Sequence, residues 1–500
     1  MPSLLLATRQ AIRRPWRSPA LWLAVQLVLS GWFLASTGGF EYRRVPDTAS
    51  YLETADAESL STALADYRTI GYPAFLELFR SADGTIRLHR VPAVQWWLYA
   101  AAVLSFFIGL ARLSDSRWLA FVAATPLVYS PIRLLVDRVQ PDFLAAAAVV
   151  ASFGLLFSLL ERSSRLRWIA FGAVVFLSYQ LRPAGLFLVG LLPLVGGLVC
   201  WLGRRLEPAH ALRAAGRIAL VTLLPLLAFG GLRWLTVGHF GLVSFGGFNA
   251  MGMAACFLDH RLLRELPEEQ RPLAQAILRS RLERGYEPMT RADDPREYFA
   301  QYSPNIFSIS ASTAKRLLRR DAATEPRGAG SGAGGGARVG SRPGDLSVEW
   351  AVEVNRRLSR LAREIVVRRP VLYLNWVRAA LLYGTEQLAR WLWIVWPALL
   401  LLVLLPIRLL RGKSESARPL AIDRRRDEGI VALTLAGVGL FSAYLLTVGL
   451  VSYPFPRYFL SMILLLPSVL TALCFETVRS ILPRSGRGGD RSGAGRTGDR

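Results

Sequence analysis

The sequence contains ten apolar segments, each about twenty residues long. Of its 500 residues, 52% are hydrophobic and only 19% are charged. A helix of about 20 apolar residues spans the hydrocarbon core of a bilayer and bonds its own backbone polar groups there. We therefore predict an all-α polytopic membrane protein with about 10 transmembrane helices. The predicted spans are 19–37, 92–111, 118–136, 141–160, 168–182, 183–202, 217–236, 390–410, 429–451 and 457–478.

The basic residues predict the orientation of these spans. The termini and loops that alternate onto one side hold 26 Lys and Arg, whereas the short and medium loops opposite hold 10. Basic loops stay in the cytoplasm. We predict an uncleaved first span, cytoplasmic termini, and outer loops at 38–90 and 237–389. The Arg- and Ala-rich composition is typical of a bacterium of high genomic GC, which places the protein in the inner (plasma) membrane.

The spans divide the chain into four predicted regions. Residues 1–236 form an N-terminal transmembrane module, and 237–389 an outer region with juxtamembrane amphipathic helices. Within the outer region, the Gly-rich segment 326–345 is predicted to be a flexible loop and 348–383 an interfacial helix. Residues 390–478 complete the transmembrane part, and 479–500 form a basic cytoplasmic tail. The fifth and sixth spans abut at Arg182 and Pro183, where a kinked helix is the alternative.

Composition disfavours several classes of function. The net charge of +24 is spread over cytoplasmic loop ends and the tail, which topology and anionic lipids explain, so no nucleic-acid partner is expected. The three cysteines and four histidines show no metal-ligand spacing, so the sequence indicates no zinc site and none of these residues is predicted to ligate a metal. The middles of all ten spans lack Asp, Glu, Lys and Arg, although coupled transporters normally carry such residues near the midplane.

Charged residues gather instead at the predicted outer ends of the spans. A single arginine there commonly extends from a span to the interface. Arg182 and Arg457, however, stand in the Pro- and Tyr-containing breaks YQLRPAG and YPFPRY. Arginines around a carboxylate indicate a phosphate-binding rim, because the guanidinium is permanently charged and has forked donors. The charged residues at these ends are Asp47, Asp137, Arg138, Asp142, Arg182, Arg233 and Arg457.

The order of these features from about residue 19 to 470 resembles the GT-C superfamily of integral membrane glycosyltransferases. The branch it resembles holds the protein O-mannosyltransferases and the lipid A aminoarabinose transferases. The stretch 360–377 also resembles the segment before the later spans in bacterial members. The motifs are an acid after the first span (Asp47), R-x-x-G-Y-P (Arg68, Gly71, Tyr72, Pro73), an acid opening the fourth span (Asp142), an R-P break (Arg182, Pro183) and a late R-Y pair (Arg457, Tyr458).

The resemblance implies a GT-C-like fold and an inverting transfer of a sugar from a polyprenyl-phosphate donor. The acceptor is a hydroxyl or amine of a lipid, glycan or protein at the extracytoplasmic face. Asp47 is the candidate general base, and capping of the helix TASYLETA is its alternative role. Asp142 is the second catalytic candidate, positioning the acceptor or binding a divalent cation such as Mg²⁺ or Mn²⁺. Its alternative role is a carboxylate at a helix N-terminus.

The same resemblance suggests substrate-binding residues. Arg68, Arg138, Arg182 and Arg457 are candidates for the donor phosphate, whose negative charge grows during the reaction. Tyr72 and Tyr458 are candidates for stacking on a sugar, with anchoring at the membrane interface as the more common role of such tyrosines. The long Gly-rich insertion, and the absence of an Asp-Glu pair at Asp47, depart from the best-known members. Sugar, acceptor and metal requirement therefore stay open.

Two other classes of function use the same features differently. A non-enzymatic translocator of lipid-linked glycans would use the basic rim but would not depend on Asp47. In a membrane scaffold the outer charges would be incidental. Neutralising Asp47 separates the transferase from both alternatives.

Overall fold

The computed structural model describes residues 18–324, 346–391, 394–404 and 424–481. The Gly-rich segment predicted to be flexible lies outside these residues, as does the tail from residue 482. Eight described helices are long and apolar enough to cross a membrane, which confirms the predicted all-α polytopic membrane fold. They are Pro19–Ser36, Leu88–Ser114, Arg117–Leu135, Asp142–Glu161, Pro183–Gly203, Pro208–Val237, Arg425–Val451 and Arg457–Ile481.

Two of the ten predicted spans differ from this set. The fifth is helical as Arg165–Leu181, and its 17 residues make it shorter than each of these eight helices. The eighth is described at residues 390–391 and as the apolar helix Ile394–Leu404, because residues 392–393 and 405–410 lie outside the described residues. The last span is divided by a turn into Pro456–Met462 and Leu466–Ile481.

The break at Arg182 separates two helices and is not a kink within one. Arg182 has extended backbone angles, φ −148° and ψ 123°, and a short 3₁₀ turn, Pro183–Leu186, follows it. The cause is local, because a proline forces the residue before it out of the helical region. The Arg182 side chain is thereby placed at the end of the bundle that also carries the first outer loop.

The helices Val91–Ser114 and Asp142–Glu161 form the centre of the bundle. They approach closely at Gly109 and Gly154, where a Cβ on either glycine would collide with the backbone of the other helix. Small residues permit this close packing in membranes. The span Asp142–Glu161 is 83% buried within the protein, and its first residue, Asp142, is also buried, at the end of the bundle that carries the loop 38–90.

Short helices cover this end of the bundle, which we call outer after the predicted orientation. The first outer loop contains Thr48–Ala55, Leu60–Ala65 and Gly71–Glu77. The second outer region has its own apolar core. Its helices are Gly246–Ala254, His260–Glu265, Arg271–Leu282, Ser312–Thr324, Leu346–Arg368 and Pro370–Ala389.

The segment predicted as one interfacial helix is two helices separated at Arg369, since Pro370 cannot continue the first. The predicted apolar stripe of the first helix exists, but Val354, Leu358, Leu361 and Ile365 are fully buried in the core of the outer region. The stripe therefore stabilises this region from within and does not lie on the membrane surface.

Arg233 joins the two outer regions. Its fully buried guanidinium donates to the carbonyl of Leu64 (2.8 Å), the carbonyl of Gly241 (2.9 Å) and the hydroxyl of Ser244 (2.9 Å). Buried guanidinium donors must be satisfied, so these bonds fix the first outer loop against the second. Arg233 is thus a structural contact between loops and not part of an exposed rim.

Candidate functional site

Asp47 stands at the start of the helix Thr48–Ala55, in the first outer loop. It occupies the N-cap position, but its side chain accepts no capping hydrogen bond. Its oxygens instead accept from two arginines: Oδ1 from Arg68 Nη2 at 2.8 Å and Oδ2 from Arg457 Nη1 at 2.7 Å. The carboxylate is therefore directed toward the residues predicted to bind phosphate.

Arg68 is held in place by the first turn of the same helix. Its Nε donates to the Ser50 hydroxyl at 2.9 Å, and its Nη1 to the Tyr51 hydroxyl at 3.3 Å. Its guanidinium also lies 4.6 Å from the centre of the Tyr51 ring and 5.1 Å from that of Tyr67. Ser50 and Tyr51 follow Asp47 by three and four residues, so all three lie on one face of the turn. That spacing in PDTASYL is a sequence signal that our site prediction did not use.

A second ion pair lies beside the first. Asp142, only 3% exposed, pairs directly with Arg182. The guanidinium of Arg182 stacks 4.3 Å from the centre of the Tyr458 ring, and Arg457 lies 5.4 Å from the same ring. Cations are attracted to the face of such a ring. Tyr458 therefore links the two ion pairs.

These contacts define an arginine–aspartate cluster, composed of Asp47, Arg68, Asp142, Arg182 and Arg457 with Tyr51 and Tyr458. Its three arginines and two aspartates leave one surplus positive charge. The members come from four distant parts of the chain, yet they meet at one end of the bundle. A cationic, partly buried cluster of forked donors suits a phosphate group.

The charge state of Asp47 follows from its two partners. Burial raises the pKa of the carboxyl, but the charges and hydrogen bonds of Arg68 and Arg457 outweigh that effect and hold the pKa below its usual value. Asp47 is therefore ionised at neutral pH. The ionised carboxylate is able to accept a proton, but each of its oxygens already accepts a hydrogen bond from an arginine.

Tyr72 lies behind the cluster. It is fully buried, its hydroxyl donates to Gln95 Oε1 at 3.3 Å, and its ring meets the Tyr51 ring edge-on at 5.2 Å. Burial raises the pKa of the Tyr72 hydroxyl well above its usual value. The contact of the Tyr72 ring with Tyr51 supports the position of Arg68.

Arg138 is fixed by its backbone and stands apart from the cluster's ion pairs. The backbone of Arg138 forms an isolated β-bridge with that of Arg43, and the Arg138 carbonyl accepts a hydrogen bond from Gln95 Nε2 at 3.5 Å. Its buried Nε makes no hydrogen bond with any described residue. Gln95 thus contacts both Tyr72 and Arg138, a connection that the sequence prediction missed.

The pairing of both aspartates with arginine disfavours a metal ion at this site. Across the described ranges, no group of three or more His, Cys, Asp and Glu residues is placed to hold one. Asp47 and Asp142 are each paired with arginine, so a divalent cation such as Mg²⁺ would have to displace a guanidinium. Carboxylates free to ligate are what such a cation requires.

No protein-family model matches the chain, and neither does any curated protein or solved structure.

Proposed function

We propose that the protein is a membrane glycosyltransferase of GT-C type. It would move a sugar from a polyprenyl-phosphate donor to an acceptor hydroxyl or amine at the extracytoplasmic face, with inversion at the anomeric carbon. The observation that carries the proposal is the Asp47 carboxylate held between Arg68 and Arg457 at the end of an apolar helical bundle. A candidate base and candidate phosphate ligands are thus in direct contact.

The arginines suit the donor phosphate by position and by charge. Arg182 stands at the break between two helices, and Arg457 near the start of the last span. A polyprenyl chain lying along the bundle therefore brings its phosphate to these residues. Arginine donors stabilise the negative charge that the phosphate gains as the sugar leaves.

Asp47 supplies the base of this reaction. The acceptor O–H or N–H gives its proton to the carboxylate while the acceptor atom attacks the anomeric carbon. The bond from that carbon to the phosphate oxygen breaks, and its electron pair stays on the phosphate. A single displacement of this kind inverts the anomeric carbon, and Arg68 and Arg457 neutralise the leaving phosphate.

The two contacts of Asp47 couple donor binding to basicity. Without donor, Arg68 and Arg457 hold the pKa of the carboxyl low and occupy both oxygens. A phosphate that draws these guanidiniums away frees the carboxylate and adds a neighbouring negative charge, and both changes raise the pKa. Donor therefore binds first, and it activates the base for the acceptor.

The proposal is tested in source cells that lack the gene, complemented with wild type, Asp47→Asn or the control Asp56→Asn. Asp56 lies in the same loop, is 60% exposed at its side chain and pairs with Arg80 at the surface, so its substitution has little effect on stability. Mass spectrometry follows polyprenyl-phosphate sugars, glycolipids and glycoproteins, and fluorescence size-exclusion chromatography verifies folding and insertion.

Wild type and Asp56→Asn should restore the missing sugar. Asp47→Asn, although folded, should leave the donor accumulated and one glycan short of a sugar, because an amide cannot take the proton. The mass difference would then identify the sugar. Full restoration by Asp47→Asn would instead favour a translocator of lipid-linked glycans or a scaffold.

A further inference from the structure

A cavity of about 430 Å³ lies between the first outer loop and the second outer region. Its volume falls within the range of small-molecule sites, about 300–1,000 Å³. Its wall combines charged groups with aromatic rings and hydroxyls. The residues that matter for its chemistry are Glu53, Thr54, Tyr67, Phe248, Phe307 and Lys315.

The charged side chains of this cavity differ in whether they already make hydrogen bonds within the protein. Asp66, which also lines it, accepts from the Thr54 hydroxyl at 2.6 Å and from its neighbouring backbone N–H. The side chains of Glu53 and Lys315 are exposed, and neither side chain makes a hydrogen bond or ion pair with another described residue. Two carboxylates and one ammonium leave a surplus negative charge. The cavity therefore has the opposite sign to the arginine–aspartate cluster and disfavours phosphate.

Aromatic rings form the apolar part of the wall. The rings of Phe307 and Phe248 both pack on Phe245, at 6.0 Å and 5.5 Å between ring centres, and Tyr67 lies 6.0 Å from it. Rings fixed in this way offer apolar faces next to hydroxyls and carboxylates. A saccharide has the matching surface, with C–H faces that pack on rings and hydroxyls that bond to polar groups.

The cavity adjoins the arginine–aspartate cluster. Tyr67 lines the cavity and also stacks with Arg68 at 5.1 Å. Glu53 and Thr54 end the helix that Asp47 begins, so the cavity lies about 10 Å along the helix axis from Asp47 at ~1.5 Å per residue. A molecule bound in the cavity would thus be close enough for another part of it to reach Asp47.

We propose that this cavity binds a saccharide portion of the acceptor, a sugar without acidic groups. The inference rests on the proposed transferase function, because it assigns the cavity to the second substrate. Glu53 would accept hydrogen bonds from sugar hydroxyls or pair with an amino group, and Lys315 would donate to a hydroxyl or ring oxygen. The rings of Phe307 and Phe248 would hold the C–H face.

The test is saturation-transfer NMR on the full-length protein in detergent micelles. The probes are the methyl glycosides of glucose, glucosamine and glucuronic acid, and binding of a short-chain polyprenyl phosphate is measured on the same samples. Ala57→Trp fills the cavity from its wall. Glu53→Gln changes an exposed group without altering the fold, and Glu58→Gln is the matched control, exposed but outside the cavity.

Wild type and Glu58→Gln should bind the glucoside and the glucosaminide, and the glucuronide at least several-fold more weakly. Ala57→Trp should lose glycoside binding while retaining polyprenyl phosphate. Glu53→Gln should weaken the glucosaminide most and bring the glucuronide closer to the glucoside.

Equal binding of all three glycosides, binding unchanged in Ala57→Trp, or no binding at all would overturn the saccharide site. If polyprenyl phosphate still binds in those cases, the proposed function stands without it. Glycoside binding lost in Ala57→Trp, in a protein that does not bind polyprenyl phosphate, would retain the saccharide site and contradict the transferase.

Discussion

Replacing Asp47 with Asn should strengthen the binding of polyprenyl phosphate, even though it abolishes transfer. In the unliganded protein the Asp47 carboxylate forms ion pairs with Arg68 at 2.8 Å and Arg457 at 2.7 Å. A phosphate must therefore compete with it for the same donors. A phosphate seated there lies about 5 Å from the carboxylate, and their repulsion is about 3 kcal/mol at an effective dielectric constant of about 20. Solvent reaches Asp47, whose side chain is 24% exposed, and reduces this figure. We expect a net gain of about 1.4 kcal/mol, equivalent to a tenfold lower Kd.

The assay is equilibrium binding of a radiolabelled short-chain polyprenyl phosphate to purified wild type, Asp47→Asn and Asp56→Asn in the same detergent. Affinity should rise only for Asp47→Asn, and the gain should shrink as salt is raised, because screening weakens the repulsion that was removed. An unchanged Kd would mean that phosphate does not use these arginines. A weaker Kd would mean that Asp47 helps to hold the donor, for example through a cation.

Three further predictions concern the same site and its support. Arg457→Gln should weaken polyprenyl phosphate about tenfold or more, because a charge-assisted hydrogen bond contributes about 1.5–3 kcal/mol, and unchanged affinity in the binding assay would remove Arg457 from the phosphate site. The acidic limb of kcat against pH should lie at higher pH than that of kcat/KM for the donor. The reason is that the donor phosphate draws away the arginines that lower the pKa of Asp47 in the free protein; coincident limbs would contradict this coupling. Arg233→Met should destabilise the folded protein by about 2–4 kcal/mol, seen as a lower thermal midpoint, because its buried acceptors lose their donors; an unchanged midpoint would show that the loops are held together without it.

The transmembrane part of the fold was largely predictable because the bilayer fixes the length and polarity of each span. The helix break at Arg182 was also predictable from the sequence, since Pro183 imposes an extended conformation on the residue before it. The apolar stripe on Leu346–Arg368 was predicted as one face of a helix. The sequence did not predict that this face would pack against a protein core. An amphipathic period is the same whether the apolar side meets lipid or a protein core.

The site was predictable as a set of residues but not as a set of contacts. Nothing local in the sequence pairs Asp47 with Arg457, which lies 410 residues further along the chain. Arg138 and Tyr72 carry the same sequence signals as the cluster residues, yet the structure places Arg138 apart from the ion pairs and buries Tyr72 behind them. Such differences depend on how distant helices pack.

The most direct test of the central claim is a single-turnover transfer assay with purified protein in proteoliposomes. The donor is the polyprenyl-phosphate sugar fraction from source cells lacking the gene, and the acceptor is their membrane fraction. Wild type and Asp56→Asn should convert the donor to free polyprenyl phosphate and a glycosylated acceptor. Asp47→Asn should bind the donor but transfer at least about 10²-fold more slowly, as expected when a general base is lost. Transfer by Asp47→Asn at the wild-type rate would contradict the account.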